Sequence, residues 1–118
     1  MKKRVAIPVT NGQLSEYFGE CNHYEIFEID GKLVGKKEER FPAGTVAAEL
    51  PEWLEKKGIT DVIVYRVNSK IIKLFASKKV NLFVGVPIDS PQKLIENYLQ
   101  GKLESDEKII REITYSTI

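Results

Sequence analysis

A chain of 118 residues is long enough for one well-formed core and too short for two. With 42% apolar and 30% charged residues it has the composition of a folded globular protein, and a net charge of +1 gives no global field toward nucleic acid or an anionic membrane. Its apolar runs are far below bilayer-spanning length, residues 1–4 lead directly into VAIPV without the pattern of a signal peptide, and one cysteine cannot form an internal disulfide. The expectation is a single domain over residues 1–118 in a reducing cytoplasm, with no membrane and no nucleic-acid partner.

In chain order, RVAIPV (residues 4–9) is a continuous apolar run, which predicts a strand covered on both faces. A polar loop over residues 10–20 follows, punctuated by Asn11-Gly12 and Gly19. HYEIFEI predicts a second strand. Asp30-Gly31 then gives a two-residue hairpin signal, and KLVGKKEER returns as a charged edge strand. The period changes at GTVAAELPEWLEKKG. Val46, Leu50, Trp53 and Leu54 fall on one helical stripe there, with Pro51 marking either the helix start or a kink. DVIVY (residues 61–65) predicts a buried strand. NSKIIKLFASKK predicts a helix capped by Asn68 or Ser69, with Ile71, Ile72, Phe75 and Ala76 inward. VNLFVGV predicts the fifth strand. DSPQKLIENYLQG predicts a helix with Ser90 as cap, Pro91 at its first position and Leu94, Ile95, Tyr98 and Leu99 as its buried face. The core is expected over about residues 3–103, with a C-terminal extension over residues 104–118 that periodicity does not place.

The order β-β-β-α-β-α-β-α starts with a hairpin and then alternates, which implies parallel strands with right-handed crossovers. An α/β fold with a five-stranded mixed sheet satisfies it: order 3-2-1-4-5, the second strand antiparallel and helices on both faces. This is a ribonuclease-H-like arrangement.

The lone cysteine and lone histidine, Cys21 and His23, are two residues apart. On an extended strand both would point to one side and could reach one metal ion. Two ligands do not close a site, so a second copy of the chain or a pre-assembled cluster with its own sulfides would have to complete it. Equally, the pair reads as a half-buried cysteine and a surface histidine. The crevice at the carboxyl ends of the first and fourth strands is a further candidate, since open α/β sheets bind ligands at such points. Its lining would be Thr10, Asn11, Gly12, Arg66, Asn68, Ser69 and Lys70. Nuclease chemistry is excluded: RVAIPV carries no carboxylate, and Asp61 begins its strand, at the wrong end. Glu16, Glu20, Glu25 and Glu28 fall in loop and hairpin.

RVAIPVT, LSEYFGEC, HYEIFEIDGK, LPEWLEKKGITDVIV and DSPQKLIENYLQGKL together resemble the dinitrogenase iron–molybdenum cofactor biosynthesis domain over about residues 3–103. The most specific pieces are AIPV, SEYFG and ENYLQGKL. The resemblance implies a ribonuclease-H-like fold and a non-enzymatic accessory protein that transiently carries an iron–sulfur or iron–molybdenum-type cluster or its precursor. Cys21 would ligate and His23 assist, Gly19 and the crevice residues would form the pocket, and donor and acceptor proteins would be the partners, with a homodimer as the way to double the ligand count. Two departures stand out. The Gly-Ile-Gly turn expected after the fourth strand reads YRVNSK, and neither FPAGTV nor SDEKIIREITYSTI contains a histidine. They leave open a second function, a cluster-free interaction or regulatory module of the same fold.

Overall fold

The structure is a computed structural model and describes residues 2–116; Met1, and Thr117 and Ile118 at the end of the extension, lie outside the described residues. Its elements are β1 (Lys2–Thr10), β2 (Gln13–Leu14), β3 (His23–Asp30), β4 (Leu33–Glu39), α1 (Leu50–Lys56), β5 (Asp61–Ile63), α2 (Ser69–Ala76), β6 (Asn81–Phe83), α3 (Pro91–Leu99) and α4 (Glu107–Ser116). The strands form one mixed sheet in the order β4-β3-β1-β5-β6, with the two-residue β2 added against β1. β1 is antiparallel to β3 and parallel to β5, so the apolar run stands at the centre with the hairpin on one side and the parallel strands on the other. β2 is a sixth strand that the sequence reading lacked.

Both sheet faces are covered, which is why Val5, Ala6, Ile7 and Val9 are all fully buried. Ala6, Tyr24, Ile26, Val62 and Val64 face one layer built from α1, α2 and the base of α4, through Leu50, Leu54, Ile71, Phe75, Ile109 and Ile110. Val5, Ile7, Val9, Phe27 and Ile63 face the other, where α3 brings Leu94 and Ile95. The alternation follows from the two-residue period of extended chain.

Local chemistry sets the helix boundaries. Pro51 stands in the first turn of α1, where a missing amide costs nothing, and a 3₁₀ turn (Ala47–Glu49) precedes it. The helix therefore starts late, and Val46 is exposed rather than on the buried stripe. Asn68 caps α2, its side chain accepting from the Lys70 amide at 2.8 Å; Ser69 is the first helical residue. Ser90 caps α3, accepting from the Lys93 amide at 3.3 Å. Ala76 and Leu99 close their helices in exposed positions, outside the inward faces expected of them.

The two turn signals exchange roles. Asn11 and Gly12 both have positive φ (53° and 77°) and join β1 to β2 as a two-residue hairpin, pairing Val9 with Leu14 and Thr10 with Gln13. At the other turn only Gly31 has positive φ, and the β3–β4 register shifts between Glu28 and Ile29. That hairpin carries a bulge instead of the two-residue turn expected of Asp30-Gly31. The extension forms α4, which periodicity had not placed.

Candidate functional site

The crevice at the carboxyl ends of β1 and β5 is built by backbone pairing. Beyond the Asn11-Gly12 turn the chain runs back along the sheet end: the Ser15 amide donates to the Pro8 carbonyl (2.8 Å), the Phe18 amide to the Arg66 carbonyl (2.9 Å), and the Arg66 amide to the Glu16 carbonyl (3.1 Å). Tyr17 and Arg66 form a parallel bridge. Part of the expected pocket is therefore filled by the chain itself, because free strand-end amides and carbonyls must find partners. Thr10 is tied inward, its hydroxyl 2.6 Å from the buried Ser15 hydroxyl. The Asn11 amide donates to the Asn22 side chain at 3.3 Å. Gly12 is open to solvent.

Gly19 has a packing role. With φ at 92°, a Cβ there would stand 2.9 Å from the Ala47 Cβ, so only glycine lets this loop approach the 3₁₀ turn. Arg66 stacks on the Tyr65 ring, 5.6 Å from its centroid, and its Nη2 donates to Glu112 Oε2 of α4 at 2.9 Å. That hydrogen bond holds the guanidinium still further above its high ordinary value. Lys70 is exposed on the first turn of α2.

Cys21 and His23 do not share a side. Cys21 precedes β3 and packs on the layer that contains Tyr24 and Phe18. Burial pushes its thiol up to about 11, partly offset by the Tyr24 hydroxyl and by the Cys21 and Val9 backbone. Tyr24 is fully buried, and its hydroxyl makes no hydrogen bond of ordinary geometry; the polar group it meets is that thiol. Burial drives the phenol well above its usual range. His23, one residue before Tyr24, opens the strand on the opposite side of the sheet. Its Nε2 lies 3.2 Å from Glu38 and 3.6 Å from Glu25, and Glu25 is also held by Lys36 at 2.8 Å. The strand begins at His23, so the two-residue spacing that would align the pair is not all extended chain. Among the described residues no group of three histidine, cysteine or carboxylate side chains is arranged to hold a metal ion.

Tyr17, Tyr24, Ser15 and Glu112 join this region although the sequence reading did not single them out. The alternation of Tyr24 with Ile26 on a covered face was an available signal. Glu112 had none, because its partner is 46 positions away. At the opposite end of β1 a cavity of about 460 Å³ is lined by Lys2, Lys3, Arg4, Glu28, Ile29, Asp30 and Val34 and contains none of the candidate residues. Arg4 there lies 3.4 Å from Glu28. Among the described residues no helix is long and apolar enough to cross a membrane.

A mixed sheet with helices on both faces and a thiol and a guanidinium at one of its ends defines a small α/β domain. The profile of the family described as "Dinitrogenase iron-molybdenum cofactor" matches residues 1–101, and the chain belongs to that family. The family is one of cofactor-biosynthesis accessory proteins and is characteristically non-catalytic; with it, this chain is not an enzyme. An uncharacterised protein of Methanocaldococcus jannaschii is 27% identical over 112 residues, covering 88% of this chain and 92% of its own. Among solved structures, the crystal structure of PH0822 is similar in fold (TM-score 0.79, 24% identity, covering 87% of this chain and 94% of its own). So is that of a Methanocaldococcus jannaschii protein described as a candidate dinitrogenase (TM-score 0.71, 21% identity, 90% and 96% covered).

Proposed function

We propose that the chain is an accessory protein of the ribonuclease-H-like type that transiently carries an iron–sulfur or iron–molybdenum-type cluster, or a precursor of one, between donor and acceptor proteins in the cytoplasm. The observation that carries the reading is the half-buried Cys21 thiol at the same sheet end as Arg66, in a chain of this family. Cys21 is the protein's sulfur ligand to the cargo. The cluster's own sulfides, or Cys21 of a second copy, fill the remaining positions. His23 takes no part from across the sheet and stays with Glu25 and Glu38.

A thiol held near 11 rather than 9.0 offers about a hundredfold less thiolate at neutral pH than an ordinary cysteine. Metal must displace that proton, so cargo binding through Cys21 releases a proton and falls as the pH is lowered. Arg66 and Lys70 supply positive charge to an anionic cluster without directing metal bonds.

A second reading, a cluster-free interaction or regulatory module, is favoured by one observation, the missing third ligand among the described residues. The test is anaerobic incubation of the wild type and Cys21→Ala with a cluster donor, followed by iron, molybdenum and sulfide analysis after gel filtration. Metal retained by the wild type and lost from the variant is the expected result. Metal retained by neither overturns the carrier reading and leaves the second.

A further inference from the structure

The family match ends at residue 101, yet the chain continues into α4, and α4 reaches the candidate site through one pair, Glu112 with Arg66. Its base is fastened to the end of β6: the Val84 amide donates to the Ser105 hydroxyl at 3.0 Å and the Asp106 amide to the Val84 carbonyl at 2.7 Å. Gly85 makes the approach possible. It has a φ of 80°, and a Cβ on it would stand 2.7 Å from the Asp106 Cβ and 3.0 Å from that of Ile109. Six residues on, at about 1.5 Å of rise each, the helix has travelled about 9 Å, more than the single spacing that separates β6 from its neighbour β5. Glu112 thus reaches Arg66 beyond the end of β5, where the two groups pair at 2.9 Å.

We propose that α4 is a built-in cap on this crevice, with the Glu112 carboxylate occupying at Arg66 the position that an anionic ligand must take. The proposal rests on the crevice being the cargo site, and it adds regulation of that site. A carboxylate already seated on Arg66 shows that this guanidinium is presented to receive an anion from the sheet-end side. The cap is held loosely enough to move. Glu112 is 59% exposed and Arg66 32% in their side chains, so water competes for the pair. Beneath the base of α4, a groove of about 280 Å³ bounded by Ile72, Phe75, Val84, Ser105 and Ile110 is unfilled, so the apolar contact is partial. The ligand class is a compact di- or polyanion, to which a molybdenum–sulfur or iron–sulfur species belongs.

The experiment titrates tetrathiomolybdate, a molybdenum–sulfur dianion, anaerobically into the full chain, Glu112→Ala, Arg66→Ala, the double variant Arg66→Ala/Glu112→Ala and a chain ending at Leu103, with affinity read by calorimetry. Glu112→Ala should bind about threefold more tightly and the shortened chain tenfold or more, and the double variant should lose the gain. Equal affinity of the full chain, Glu112→Ala and the shortened chain overturns the cap. Absence of binding by every chain also overturns it, since there is then no anion site to cover. Glu112→Ala tests the proposal independently of the shortened chain, which gives up the core contacts of Ile109 and Ile110, because position 112 is exposed. Cluster retention through Cys21 is a separate measurement, so failure of the cap and failure of the carrier reading are told apart.

Discussion

Two charged side chains bracket β5. Asp61 opens the strand and Arg66 lies three residues past its end, and they differ in almost every physical respect. Asp61 is 1% exposed and receives three hydrogen bonds, from the Tyr98 hydroxyl (2.5 Å), the Asn81 side chain (2.8 Å) and the Thr60 hydroxyl (3.3 Å). Burial and the Asp61 carboxylate together hold the Tyr98 phenol above its usual range. Such a group is closed: its acceptor positions are taken by elements that must be folded to supply them, and it joins α3 to the ends of β5 and β6. Arg66 is more open, stacked on and hydrogen-bonded to Tyr65 and paired with the Glu112 carboxylate of α4. The buried charge is fixed from three sides by the fold, whereas the partly exposed one is reached by water and by a helix from outside the sheet.

The comparison breaks most readily at Asp61. Asp61→Ala removes the buried acceptor shared by Tyr98, Asn81 and Thr60, and should cost about 3 kcal/mol in urea unfolding. Tyr98→Phe keeps the ring against Phe83 and should cost about 1 kcal/mol. A loss from Asp61→Ala below that of Tyr98→Phe would contradict the closed-network account. Next comes Gly85→Ala, expected to cost about 2 kcal/mol because it meets both a strained φ and the Asp106 and Ile109 side chains. Proteolysis between residues 101 and 107 should accelerate with it, as α4 comes away; unchanged cleavage would mean that α4 does not depend on this approach.

At the open end the expected effects are smaller. The raised thiol predicts that alkylation of Cys21 by iodoacetamide rises with pH to a midpoint near 11 instead of 9.0. The folded value lies above the unfolded one, so the associated stability is fully present below pH 9.0 and is lost as pH rises through about 11. Cys21→Ala should abolish that slope, while an alkylation midpoint near 9 would mean that the thiol is not held in the buried setting described. The smallest effect on folding is expected from Glu112→Ala, whose urea midpoint should match the wild type within error; its consequence belongs to anion binding alone.

The central strand, the hairpin beside it and the helix caps were legible because each is written locally. Val5 to Val9 form an unbroken apolar run, Pro91 follows Ser90, and Asn68 precedes a 3.6-residue stripe. Local rules failed where two had to be ranked. Asn11-Gly12 and Asp30-Gly31 carry the same kind of signal, and the Ile29–Leu33 pairing with its bulge decided that only the first forms the tight two-residue turn. The stripe that included Val46 was cut short by Pro51, which allows a helix to begin but not to extend backward through it.

The site was less legible than the fold. Sequence alone determined which chemistry the chain possesses: one thiol, one imidazole, no carboxylate on the central strand, and a match of motifs to a cofactor-accessory family. Only the tertiary structure decided what those groups face. It set Cys21 against a buried Tyr24 on one side of the sheet, left His23 among carboxylates on the other, and brought Glu112 across 46 positions to Arg66. The reason is range: periodicity and capping act over a few residues, whereas the side of a sheet and the partner of a charge are fixed by contacts between segments far apart in sequence, which no local pattern encodes.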